Sequence, residues 1–222
     1  MPRQLTILLS VLLLSFAIAV TADEARWQQY ISVGMEAYQR ANYAEAIRQT
    51  QFALKEAEDF GEEDPRFVLS LNNLAELYRV QGRYDEAEPL FKRSLAIAER
   101  TLGPDHPQVA SSLNNLAALY QAQGRYEEAE PMYKRSLAIM EKMLGPEHPQ
   151  VATSLNNLAW LYEAQGRYDE AEPLYERALT IAVKILGPQH PTTRNVLQNF
   201  SAFYRAQGRD KEVERLLREY GQ

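Results

Sequence analysis

The sequence predicts an all-α protein, a right-handed superhelical solenoid of helix-turn-helix repeats. Three observations carry that expectation. A unit of 42 residues recurs in register, each copy holds two helical stripes of apolar residues, and Gly and Pro punctuate every copy at the same places. Leu69–Ala110 and Ser111–Ala152 are identical at 31 of 42 positions, and Ser111–Ala152 and Thr153–Arg194 at 27 of 42. The shared unit reads S-L-N-N-L-A-x-L-Y-x-x-Q-G-R-Y-x-E-A-E-P and closes on L-G-P-x-H-P.

In chain order, residues 1–22 read as an address. Leu5 to Val20 is almost wholly apolar, Arg3 precedes it, and Val20-Thr21-Ala22 offers small residues for cleavage before Asp23-Glu24. A helix over residues 5–20 would span roughly 24 Å, short of the ~30 Å hydrocarbon core. The expectation is a signal peptide and an exported chain, periplasmic or secreted. The alternative is a chain anchored in the membrane by residues 5–20. With no cysteine in the sequence, no lipid can be attached through one.

Residues 23–222 then form five units, framed as 26–67, 68–109, 110–151, 152–193 and 194–222. In the first helix of each internal unit, Leu71, Leu74, Ala75 and Tyr78 make one stripe of 3.6-residue period. Gln81-Gly82-Arg83 ends it, with Gly82 suited to a left-handed cap. Tyr84, Ala87, Phe91, Ser94 and Leu95 make the stripe of the second helix, and Leu102-Gly103-Pro104 stops it. Pro89 falls about one turn inside that helix, where it removes one early hydrogen bond and is expected to bend the helix mildly without breaking it. His106-Pro107 opens the next unit, with proline at a first helical position. The end units are looser copies. The last helix, Asp210–Tyr220, is rich in charge, as a terminal cap must be when no further repeat covers it.

These residues resemble the tetratricopeptide repeat. Leu71, Leu74, Ala75, Tyr78, Gly82, Tyr84, Ala87 and Phe91 fall on that family's signature positions, and Leu113–Tyr133 and Leu155–Tyr175 repeat them. The usual unit has 34 residues. The 42-residue length, with Leu-Asn-Asn-Leu-Ala, Glu-Ala-Glu-Pro-Leu and Leu-Gly-Pro-x-His-Pro, looks like the kinesin light chain type. The resemblance implies a protein or peptide ligand held through groove asparagines.

Composition excludes much chemistry. Zero cysteines rule out disulfides, thiol catalysis and thiolate metal sites. A formal charge of −6 gives no basic field for nucleic acid. The three histidines, His106, His148 and His190, sit one per repeat. Successive repeats lie on the order of 10 Å apart, whereas metal ligands must converge at about 2 Å, so these are read as cap or turn residues. Glu86, Glu128 and Glu170, with Glu88, Glu130 and Glu172, are read as solvated acids favouring the dipole of a first helical turn. No nucleophile elbow, phosphate loop or dinucleotide fingerprint occurs. No enzyme activity and no cofactor are expected.

The candidate binding residues form a ladder. Asn72 and Asn73, Asn114 and Asn115, and Asn156 and Asn157 follow the core leucine of each first helix, and Asn199 continues the row. Amides offer both donors and acceptors, so a row of them can hold an extended backbone with little sequence preference. Part of the ladder could instead tie neighbouring helices together. Glu76 and Arg79 flank it in one repeat. Trp160 replaces the small residues of neighbouring repeats, either as an aromatic anchor or by packing on an adjacent helix. Other families of these repeats clamp a C-terminal carboxylate with groove lysines and arginines, and by that resemblance the cations are missing here, with Ile31, Asn72, Asn114 and Asn156 at the corresponding positions. The expected function is a non-catalytic protein-interaction module that binds an extended peptide or protein segment in a concave groove. The alternative is a self-associating structural scaffold or assembly factor that docks folded partners on its outer surface. Membrane contact is expected only through an uncleaved N-terminal segment.

Overall fold

A computed structural model describes residues 22–220. The expected address segment, apart from residue 22, lies outside them. Among the described residues there are ten helices and no strand: α1 (22–39), α2 (Tyr43–Glu58), α3 (Pro65–Val80), α4 (Tyr84–Leu102), α5 (Pro107–Ala122), α6 (Tyr126–Leu144), α7 (Pro149–Ala164), α8 (Tyr168–Leu186), α9 (Pro191–Ala206) and α10 (Asp210–Tyr220). None of them is long and apolar enough to cross a membrane. The chain divides into two compact units at Ile97 and Ala98, within α4.

Each odd-numbered helix from α3 to α9 starts in the same way. Asp64, His106, His148 and His190 are its N-caps, and proline follows at the first helical position. The imidazole Nδ1 of His106 accepts from the Gln108 N–H at 3.1 Å, that of His148 from Gln150 at 3.2 Å, and that of His190 from Thr192 at 3.1 Å. The Asp64 carboxylate does the same for Arg66 at 2.9 Å. The ladder of histidines therefore satisfies one otherwise orphaned N–H per repeat. The helices begin three residues ahead of the frame read from the sequence, because a repeat's phase is arbitrary until its caps are seen.

The helix ends are equally regular. At the end of α5 the Arg125 N–H bonds the Tyr120 carbonyl at 2.8 Å and the Gly124 N–H bonds Gln121 at 2.9 Å. This double closure needs a left-handed residue, and Gly124 supplies it with φ 72°. Gly82 does so for α3 with φ 71°. Pro89, Pro131 and Pro173 lie inside α4, α6 and α8, each of which runs on unbroken to its last turn.

In the first unit, Trp27, Ala53, Ala57, Phe67, Val68, Leu71 and Ile97 form a buried cluster, and the Trp27 indole N–H donates to the Ser70 Oγ at 2.9 Å. In the second unit, fully buried alanines (Ala117, Ala129, Ala159, Ala171) let paired helices approach, and large side chains fill the layers between hairpins. Tyr175 stacks on Phe200 at 5.5 Å and meets Phe203 at 5.4 Å.

Polar clamps add to this packing, and two of the acids expected to be merely solvated belong to them. Glu130 of α6 accepts from Arg167 at 2.7 Å and from the Tyr162 hydroxyl at 3.3 Å, both in the next hairpin. Glu172 of α8 accepts from Arg209 at 2.6 Å and from the Tyr204 hydroxyl at 2.9 Å. The guanidinium groups of Arg167 and Arg209 also lie over the Tyr162 and Tyr204 rings, at 4.0 and 4.3 Å. The Arg167 guanidinium holds the Glu130 carboxyl down to about 2, with help from Lys134 and against partial burial. The closing L-G-P turns are tied as well. Arg135 donates to the Pro104 carbonyl at 3.2 Å and Arg177 to that of Pro146 at 3.1 Å.

Candidate functional site

The candidate residues lie on the odd-numbered helices, and burial separates the two members of the Asn72–Asn73 and Asn156–Asn157 pairs, while Asn114 and Asn115 are both half-buried. Asn156 is buried, and its Oδ1 accepts from the Asn199 amide of α9 at 3.1 Å. Asn114 donates to the Ser154 Oγ of α7 at 3.4 Å, and its Oδ1 is buried without a partner. Asn72 in the first unit is buried too, with its Oδ1 unpaired. Asn72 and Asn156, both among the candidate ligand contacts, are thus the buried members of their pairs. Within the second unit the Asn156–Asn199 bond joins α7 to α9. Asn73, Asn115, Asn157 and Asn199 are half-buried and retain accessible surface.

Trp160 is 52% exposed on α7, and no ring or cation of the described residues rests on it. Of the two readings the sequence left open, packing against an adjacent helix is the one this exposure disfavours. One turn along the same face, Glu163 is half-buried and accepts from the Tyr175 hydroxyl at 2.8 Å. Burial pushes its carboxyl above the ordinary range, opposed only by that hydrogen bond. The equivalent residue on α5, Gln121, is buried and accepts from Tyr133 at 3.0 Å.

In the first unit, Glu76 and Arg79 bond to each other at 2.6 and 2.7 Å. Asn73 and Glu76 also line a cavity of about 220 Å³, together with Ile31, Met35, Tyr38 and Leu77. Gly34 at its base lets α1 close on α2: a Cβ there would stand 3.3 Å from the Thr50 Oγ1. Sequence reasoning missed Met35 and Tyr38, 57% and 42% exposed. The first unit is too loose a copy for the alignment to carry site positions into it. The signal available was that Met35 and Tyr38 share one helical stripe with Ile31 and Gly34.

The Tetratricopeptide repeat family matches at residues 67–142, 110–182 and 162–220. The chain belongs to the tetratricopeptide repeat family. Its fold is similar to that of a Podosopora anserina kinesin light chain-like protein of nearly identical repeats, at 30% identity, with 88% of this chain and 93% of that one covered and a TM-score of 0.68. It is also similar to BtubC (BKLC) from P. vanneervenii, at 25% identity, covering 87% and 78% of the two chains with a TM-score of 0.72. A Rap protein complexed with competence and sporulation factor shares the fold at 16% identity, with 90% and 63% covered and a TM-score of 0.65. No curated protein sequence matches the chain. Tetratricopeptide repeats generally serve protein–protein interaction and are typically non-catalytic. The 42-residue unit is of the kinesin light chain type.

Proposed function

We infer that the chain binds an extended segment of a partner protein along the odd-numbered helices of its second unit. Asn115, Asn157 and Asn199 hold the ligand backbone, and Trp160 is its anchor. The observation that carries this reading is Trp160, a large apolar ring left 52% exposed on the same helix as the half-buried Asn157. The chemistry is recognition without a reaction. An exported or membrane-anchored setting, expected from residues 5–20, is part of the proposal.

The edge of α9 speaks against end-to-end stacking of copies as the main role. Arg194 and Gln198 are exposed where α7 has buried Ala152 and Asn156, so the last hairpin presents polar side chains where a further repeat would pack. The test is photo-crosslinking from position 160 in the native cell, followed by identification of the captured protein. Asn115→Ala combined with Asn157→Ala should abolish capture. Undiminished capture by that double variant sinks the groove reading.

A further inference from the structure

The second unit contains a carboxylate that the fold itself does not neutralise. Glu130 is paired with Lys134 and Arg167, Glu172 with Arg209, Glu141 with Arg177 and Glu147 with Lys184. Glu163 differs. Its one polar partner is the Tyr175 hydroxyl, and no cation of the described residues stands within ion-pair distance. Arg205 holds the equivalent place on α9 and does not reach it. A half-buried carboxylate without a counter-charge is costly, and burial already pushes Glu163 toward its protonated form. Where such a group adjoins an exposed ring, the missing charge can come from a ligand.

Trp160 is that ring. It lies three residues before Glu163 on α7, so the two side chains rise from one helical face with Cβ atoms about 5–6 Å apart. An indole face attracts cations most strongly among the aromatic side chains. A lysine or arginine has the shape for both groups: its methylene stem lies against the ring and its charged head reaches the carboxylate. Neighbouring repeats cannot offer this pair. Ala118 and Gln121 stand at these places on α5, Ala202 and Arg205 on α9.

We propose that Trp160 and Glu163 form a subsite for a lysine or arginine side chain of the extended partner segment. This deepens the reading under Proposed function and rests on it. It assigns charge selectivity to α7, and the Asn115, Asn157 and Asn199 row remains indifferent to sequence.

The test uses the full chain and three synthetic peptides of seven residues, acetylated and amidated, built of serine and alanine around a central lysine, norleucine or glutamate. The readout is the Trp160 indole N–H resonance, assigned by its loss in Trp160→Phe and distinct from that of buried Trp27. The lysine peptide should shift it saturably and bind about tenfold more tightly than the norleucine peptide, and the glutamate peptide should bind more weakly still. Glu163→Gln should remove the preference for lysine. That variant keeps its fold, because Gln121 already accepts the Tyr133 hydroxyl at the same place on α5. Equal binding of the lysine and norleucine peptides, or a preference that survives Glu163→Gln, overturns this subsite and leaves the groove reading standing. No shift with any of the three peptides overturns both.

Discussion

Glu130 and Arg167 join two consecutive hairpins through a hydrogen-bonded ion pair of 2.7 Å, although each also has partners in its own hairpin. The Glu130 carboxyl is held at about 2, below its ordinary value near 4.5. A carboxyl lowered on folding adds stability above its unfolded value and loses that contribution as pH falls through the folded one. The loss should therefore run from about pH 4.5 down to about 2. Glu130→Gln should lower the thermal midpoint at pH 7, and the gap from the wild type should close by pH 2. Circular dichroism melts of both proteins across this range check it, and identical midpoints at pH 7 would refute the clamp.

The histidine caps can be tested one at a time. His106→Ala removes the acceptor for the Gln108 N–H and should cost about 1 kcal/mol. His106→Asp should restore or exceed wild-type stability, since Asp64 caps α3 with the same geometry and a carboxylate favours a helix N-terminus. Denaturant melts of the two variants give the comparison. Equal loss in both would mean that the histidine acts by something other than its Nδ1.

The stack of Tyr175 on Phe200 closes the last hairpin onto its predecessor. Phe200 is 1% exposed, and Phe200→Ala should cost about 3–5 kcal/mol in transfer and cavity terms. In a repeat array that cost falls first on the terminal interface. Hydrogen exchange should therefore speed up in α9 and α10 well before it does in α5 and α6. Uniform acceleration through the second unit would show that its hairpins unfold as one block.

Most of the architecture is legible in the repeat itself. Helix ends are written in local residues: His106-Pro107 for the start, Gly82 or Gly124 for the stop, and the structure uses them so. What could not be read depends on contacts between repeats. Glu128 and Glu130 are two residues apart and look alike in sequence, yet Glu130 alone accepts from Arg167, 37 residues further on. The asparagine pair hides the same distinction. A helical wheel places both members away from the core stripe of their own helix, but only the stacked neighbour decides which one is covered.

That distinction gives the sharpest prediction for the site. Asn156→Ala removes the acceptor of the Asn199 amide inside the stack, and Asn157→Ala removes a half-exposed amide. The first should cost about 1 kcal/mol or more, because Asn199 loses its bond and a small void opens. The second should stay within about 0.5 kcal/mol of the wild type, as surface substitutions do. Partner capture should follow the opposite order. Asn157→Ala should weaken it under conditions where the protein is fully folded, and Asn156→Ala should weaken it only as far as it unfolds the α7 and α9 layer. Chemical melts and crosslinking yields measured side by side separate the two roles, and equal effects of both variants on capture at matched folded fraction would show that the exposed row is not the ligand contact.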